Sequence, residues 1–291
     1  MVDVSRVYVS TACLAGGSDV FRVLDAYAAA GLKNVELGAT LSYRDGLAPG
    51  LFKRYSFNFI IHNYFPPPRE KVVVNLASQD ADVLRRSRQQ IKRSIDFCHA
   101  LGVDFFSVHA GFRIEPDDNF RFDLNGPVAP YEPSFETFVA SVKEIDAYAQ
   151  ARGIRIAIEN HGMPERDLSR GRNLAYMLCE AWEFERLWSA VPSANVGMLL
   201  DLGHLKVAAQ SLGFDKEDFI DRVKGKVFSF HAHDNNGIAD EHEAVGEGSW
   251  CLDVLGRGCF SGAKVVTESR GLSVKQIAEQ VRLLEKALCA R

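Results

Sequence analysis

The sequence predicts an α/β chain folded as a closed (β/α)8 barrel, the TIM-barrel architecture, in one domain spanning residues 1–291. Three observations carry this expectation. Eight short apolar runs punctuate the chain, amphipathic helical patterns separate them, and polar residues gather at the C-terminal ends of the runs.

The runs cover 7–10, 34–37, 57–62, 105–109, 154–159, 196–201, 226–231 and 263–268. Most hold four to six residues rich in Val, Ile and Phe, as parallel strands covered by helices require. Helical periodicity falls on 19–30 before Gly31, on 81–101 before Gly102 and on 134–152 before Gly153, with each glycine placed as a C-terminal cap. Further helices are expected over 173–190, 216–223 and 273–290, while the second and seventh crossovers look short or irregular. No Ser/Pro/Gly-rich linker, low-complexity tract or close repeat divides the chain. The rival fold, an open doubly wound sheet, carries a glycine-rich phosphate turn after its first strand. The stretch STACLAGG at 10–17 is a poor match to that turn, so the barrel is preferred.

With 291 residues, 47% apolar and 25% charged, the chain can bury a core of ordinary size. A formal charge of −4 disfavours a surface built for nucleic acid. The six cysteines are scattered without a C-x-x-C pair, unlike a disulfide framework or a thiolate zinc site. The opening MVDVSRVYVS has no signal-peptide pattern, and no apolar run approaches the ~18 residues of a membrane span. A reduced, cytoplasmic enzyme is expected.

Consecutive runs end in, or just before, residues that can bind metal: His62, His109, Glu159, Asp201 followed by His204, His231 and Glu268. In a barrel these ends meet on one rim, where such enzymes place their active sites. A lone strand-end histidine or aspartate is commonly a hydrogen-bonded core residue. Six such ends in a row would instead bury several carboxylates with no cation to neutralise them. A metal site is therefore expected. Imidazole and carboxylate ligands without thiolate suit zinc, manganese, cobalt or iron, and all-oxygen sites suit magnesium or calcium. His99 is given no role, and His161 either lines the site or caps a loop. His233 is expected to face the barrel's outside or the loop and to be no ligand.

The stretches IHNYFPPP, NLASQDADVLRRSRQQIKRSIDFCHALGVDFFSVHAGF, IAIENHG, GMLLDLGHLKVAA, FHAHDNNGIADEHEAVGEG and VVTES together resemble the xylose isomerase-like barrel superfamily. The superfamily includes sugar isomerases and epimerases and the endonuclease IV family. The resemblance to the epimerases implies one divalent metal held by Glu159, Asp201, His231 and Glu268. It also implies that Glu159 and Glu268 exchange a substrate proton from opposite faces, with His204 and Glu165 contacting substrate. An arginine found in some epimerases six residues after the metal histidine is replaced here by Gly237.

The resemblance to endonuclease IV implies a larger set holding three zinc ions. It comprises His62, His109, Glu159, Asp201, His204, His231, Asp240, His242 and Glu268, and all nine positions are filled here. NLASQD, SVHAG and Gly246-Glu247-Gly248 also look like the nuclease. Against it, DLGH at 201–204, HAHDNNG at 231–237 and the Pro66-Pro67-Pro68 loop read more like the sugar isomerase branch. Basic residues are not concentrated on the rim; Arg85, Arg86, Arg88, Lys92 and Arg93 lie on a helix expected to face outward.

The expectation is a metal-dependent sugar or sugar phosphate isomerase/epimerase of carbohydrate metabolism, using Glu159 and Glu268 for proton transfer next to a carbonyl that the metal polarises. The alternative is an endonuclease IV-like multinuclear zinc phosphodiesterase. A non-catalytic sugar-binding barrel is disfavoured because both glutamates are present. One to three zinc or manganese ions are expected, with cobalt or magnesium as substitutes. The partner is a small carbohydrate rather than nucleic acid or membrane, and a homo-oligomer is left open. Tyr43, Tyr64, Phe65, Phe112 and Trp250 either pack on a sugar face, close a neighbouring subunit's pocket or fill loops. Arg113 and Arg270 either bind a phosphate or carboxylate, or form surface ion pairs.

Overall fold

A computed structural model describes residues 6–117, 120–260 and 262–289. Eight parallel strands close into a barrel in sequence order: β1 (Val7–Ser10), β2 (Asn34–Leu37), β3 (Asn58–His62), β4 (Phe105–His109), β5 (Arg155–Glu159), β6 (Val196–Asp201), β7 (Val227–Ala232) and β8 (Lys264–Thr267). Each falls within two residues of its predicted run, because β-branched and aromatic residues buried on both faces leave few alternative registers. The inner layer at the base packs Ile60, Phe105, Ala157, Leu199 and Val266 against Tyr8 and Phe228. That plug fills one end of the barrel, and the side chains that can bind metal gather at the other.

The crossovers hold α1 (Val20–Ala29), α2 (Ala81–Leu101), α3 (Tyr131–Gln150), α4 (Ala181–Ala190), α5 (Leu202–Leu212), α6 (Lys216–Val223), α7 (Trp250–Leu255) and α8 (Val274–Cys289). Asp19, Asp80 and Asp215 cap α1, α2 and α6 by accepting backbone N–H groups of the first turn. Ala290, the last residue of the predicted eighth helix, lies outside the described residues. Arg85 and Arg86 face outward and pair with Asp82, as expected of that helix face.

Two elements differ from the expectation. α4 starts at Ala181 rather than 173, because the Asn173 side chain accepts from Ala175 and Tyr176 backbone N–H groups and holds a turn there. α5 was not expected at all. It is buried over Leu202–Leu205 and again at Val207–Ala209, so it lacks the one-sided polarity that reveals a helix in sequence. It follows β6 without a connecting loop, and the last strand residue, Asp201, is also its N-cap, accepting from His204 N at 2.7 Å.

One register irregularity matters for the rim. Met198 pairs with Val227, but Leu199 pairs with Ser229, so β7 gains one residue against β6. The shift sets Asp201 beside His231. Among the described residues no helix is long and apolar enough to cross a membrane.

Candidate metal centre

The strand ends deliver their polar side chains to one place. Glu159, at the end of β5, is 1% exposed and forms its centre. Its Oε2 lies 3.1 Å from His109 Nε2 and 3.4 Å from His62 Nε2, and its Oε1 lies 3.3 Å from His204 Nδ1 and 3.5 Å from His231 Nδ1. His231 Nδ1 also faces Glu268 Oε2 at 3.2 Å and Asp201 Oδ2 at 3.6 Å. A third group forms where His204 Nε2 and His242 Nε2 approach Asp240 Oδ2 at 3.3 and 3.0 Å.

Local structure explains these placements. Asn160 clamps the end of β6: its Oδ1 accepts from Asp201 N at 2.8 Å and its Nδ2 donates to Asp201 O at 3.0 Å. Asp240 and His242 come from a loop after β7 that is closed on itself by two backbone hydrogen bonds between Asp234 and Glu243. His242 adopts a φ of 50°, sparsely populated for a residue with a side chain, and Arg270 N donates to its carbonyl at 2.8 Å. Glu268 lies just past β8, its backbone N bonded to Ala232 O at 3.1 Å.

All nine residues of the predicted ligand set therefore meet, in three adjoining groups: His62, His109 and Glu159; Glu159, Asp201 and His231 with Glu268 at hand; and His204, Asp240 and His242. Within each grouped set the ligand atoms lie within 4.8 Å of one another. The fit to a cation is visible in the polar atoms left over. Both oxygens of Glu159, one of Asp240, and His231 Nδ1 are buried without a hydrogen-bond partner, although they face each other's ligand atoms. Buried polar atoms are seldom left so, and positive ions held within these groups would satisfy them.

His233 corrects the expectation. It is fully buried, its Nε2 lies 3.1 Å from Asp201, and its ring stacks on His242 at 3.9 Å. Side chains two apart on a strand share a face, so His233 points inward with His231. A Cβ on Gly203 would come within 2.0 Å of the His233 ring, so only glycine lets α5 start against it. Glu36 near the end of β2 also joins the centre, with Oε2 3.1 Å from His231 Nε2. The sequence reading passed over it, although a lone acid in the buried strand NVEL was a usable signal.

Above the centre opens a cavity of about 780 Å³, lined by His62, His109, His204, Asp240, His242 and Glu268 and walled by Tyr64, Phe120, Phe122 and Tyr176. Arg270 lines it, together with Arg121 and Arg166. Glu165 does not: it is exposed and begins a 3-10 turn whose next residues, Arg166 and Asp167, reach the cavity instead. His161 lines the wall, its Nδ1 bonded to Met177 O and its ring stacked on Phe112. Phe65 is a core residue packed on Phe52 and Phe97, Trp250 donates to Glu217, Tyr43 bonds Asp45, and Arg113 bonds the Ala129 carbonyl. His99 is exposed on α2.

Burial alone would raise the carboxyl pKa values and lower those of the imidazoles, but mutual attraction wins at most positions. Glu159, Asp201, Asp240 and Glu268 are held below the usual carboxylate range by the surrounding histidines. His204, His231 and His233 are raised by the carboxylates around them. His62 and His161, where burial dominates, fall to about 3.

Residues 24–287 match the family described as xylose isomerase-like TIM barrel. An uncharacterized protein of Methanocaldococcus jannaschii, MJ1311, is 26% identical over 196 residues, 67% of this chain and 58% of that protein. The chain thus spans under two thirds of the length of this curated relative. Among solved structures, a D-tagatose 3-epimerase-like protein superposes with a TM-score of 0.73 at 19% identity, covering 97% of this chain and 96% of the other. A D-psicose 3-epimerase solved with D-fructose gives 0.68 at 17% identity, covering 97% and 96%. At these identities the likeness is one of fold.

Two outcomes follow for the metal-free protein. The raised histidines stabilise the fold fully below their unfolded value of 6.5, and that contribution is lost as pH rises through their folded values. The lowered carboxylates contribute above their unfolded values, near 4, and lose it as pH falls. Thermal melts after chelation should therefore peak between these limits and decline toward pH 9, and saturating zinc or manganese should abolish the alkaline decline. A melting temperature that climbs from pH 6.5 to 9 without metal contradicts this balance. Separately, Gly203→Ala should displace His233 and reduce retained metal, as read by elemental analysis after dialysis; unchanged metal content would show the contact to be tolerated.

Proposed function

The chain belongs to the xylose isomerase-like TIM-barrel family, and on that premise we propose that it is a divalent-metal-dependent isomerase or epimerase acting on a small carbohydrate. The observation that carries this reading is Glu268. It lies in the floor of a cavity sized for a sugar while its Oε2 approaches His231 Nδ1, which Glu159 and Asp201 also face. A divalent ion held by Glu159, Asp201, His231 and Glu268 supplies Lewis acidity, which makes the C–H beside a sugar carbonyl more acidic. The mixed nitrogen and oxygen donors suit zinc or manganese, with cobalt or magnesium as substitutes.

The chain's own residues supply the rest. Glu268, ionised at neutral pH because histidines hold its pKa down, takes the proton from the carbon. Returning it to the neighbouring carbon from the same side gives isomerisation. Epimerisation instead needs a second proton, carried in by Glu159 and delivered to the opposite face of the same carbon, so that Glu268 ends protonated and Glu159 ionised. Of the two, only Glu268 lines the cavity, so the first transfer is assigned to it. His204, fixed by its Nδ1 bond to Asn160 O at 2.9 Å, presents Nε2 beside Asp240 at the cavity floor, placed to hold a sugar hydroxyl. Tyr64, Phe120, Phe122 and Tyr176 give apolar surface for a sugar face and exclude water. Arg270, with Arg121 and Arg166, is placed to hold an anionic group on the substrate. The names of the epimerase neighbours support a ketose as the substrate.

A second reading, hydrolysis of a phosphodiester as in endonuclease IV, is favoured by one observation: the ligand residues form three adjoining groups, two of them sharing Glu159, more than a one-metal site needs. Elemental analysis separates the two. One exchangeable ion per chain supports carbohydrate chemistry, and three tightly held zinc ions support hydrolysis.

The test of the main reading is proton exchange in D2O with D-tagatose, D-fructose and their phosphates. Wild-type protein should place deuterium on the reacting carbon. Glu268→Gln should still bind the sugar, with exchange reduced about 100-fold or more. Full exchange in Glu268→Gln would remove Glu268 from the reaction, and no exchange by wild type with any of these sugars would count against the reading itself.

A further inference from the structure

The centre contains a carboxylate that none of the roles above uses. Glu36 is 1% exposed, and its Oε2 lies 3.1 Å from Nε2 of His231, which is itself fully buried. The bond joins strands that are far apart around the barrel: β2 carries the acid, β7 the histidine. The other oxygen, Oε1, is buried with no hydrogen-bond partner. Burying a carboxylate with half its capacity unused is unfavourable unless it sits beside positive charge.

We propose that Glu36 is the positioning residue of the metal centre. It takes the Nε2 hydrogen of His231 and so turns the Nδ1 lone pair toward Glu159, Asp201 and Glu268. A neutral imidazole has one N–H and one lone pair, and the partner of the first decides where the second points. Nδ1 faces those three carboxylates at 3.5, 3.6 and 3.2 Å, an arrangement that needs positive charge between them, from a proton on Nδ1 in the metal-free chain or from a cation that replaces it. The carboxylate also brings negative charge to the ligand, strengthening it as a donor.

Glu36 could instead be a ligand in its own right, since Glu36, His62 and His231 present atoms within 4.8 Å of one another. The hydrogen bonds argue against it. His62 is held by Ser107 Oγ at 3.1 Å through Nδ1 and faces His109 and Glu159 through Nε2. An ion in that group would have to break the Glu36–His231 bond and turn His62 away from Glu159.

The inference rests on the metal-dependent reading, and its test separates the two. Metal affinity is measured by competition with a chelator for the wild type, Glu36→Gln and Glu36→Leu, with metal per chain and the melting point of the metal-free proteins recorded alongside. Glu36→Gln keeps an acceptor for Nε2–H in nearly the same volume and should weaken affinity only a few-fold. Glu36→Leu should weaken it about 10- to 100-fold with the number of ions unchanged. Nitrogen-15 spectra of the zinc-loaded wild type should show the His231 hydrogen on Nε2. If the wild type binds no divalent ion, the metal-dependent reading fails. If it binds and Glu36→Leu keeps wild-type affinity, or if Glu36→Gln loses one whole ion, the positioning role is overturned.

Discussion

The rim depends on one electrostatic constraint: five buried or nearly buried carboxylates (Glu36, Glu159, Asp201, Asp240 and Glu268) face six histidines (His62, His109, His204, His231, His233 and His242). Neither set tolerates burial alone, since an isolated ion in the interior loses more solvation than packing returns. Together they are held by mutual attraction, which is why four of the carboxyl values fall and three of the histidine values rise against the effect of burial, while burial still pushes Glu36 up. In the metal-free chain protons on His204, His231 and His233 meet the carboxylates. A divalent ion bound there would meet the same demand with two charges at one point and would release those protons.

The barrel makes that concentration of charge affordable. Its base is closed by an apolar layer, its strands are buried on both faces, and the one irregularity between β6 and β7 brings Asp201 level with His231. Asp201 links fold to site at a single residue. It ends β6, caps α5, is clamped by Asn160, and presents its second oxygen to the histidines. Rigid strand ends set distances between ligands more closely than loops do. The third group, which takes Asp240 and His242 from a loop, relies on the Asp234–Glu243 bridge just past β7 and a strained φ at His242 for the same purpose.

Much of this was legible in the sequence. Short apolar runs ending in His or an acid gave strand positions and ligands together, because the side chains that close a barrel rim must sit at strand ends. Glu36 escaped because it lies one residue short of the end of β2 rather than at it. His233 was misplaced because the expectation set it on the face opposite His231, whereas residues two apart on an extended chain share a face; β7 reaches Ala232 and the inward face continues to 233. Glu165 was carried over by spacing alone, and a 3-10 turn at Glu165–Asp167 moves the next two side chains to the cavity in its stead. α5 could not be read from periodicity, since nearly every residue of its first turns is buried. Nor could the aromatic wall, as Phe120, Phe122 and Tyr176 reach the cavity from loops whose course depends on tertiary contacts.

The central claim is that Glu159, Asp201, His231 and Glu268 converge because they hold a divalent cation. Anomalous diffraction from crystals grown with zinc or manganese, recorded on both sides of the metal absorption edge, tests it most directly. The account predicts a peak about 2.0–2.3 Å from an oxygen of each carboxylate and from Nδ1 of His231. A map with no peak among these four residues, in crystals whose solution holds the metal in excess, would contradict it.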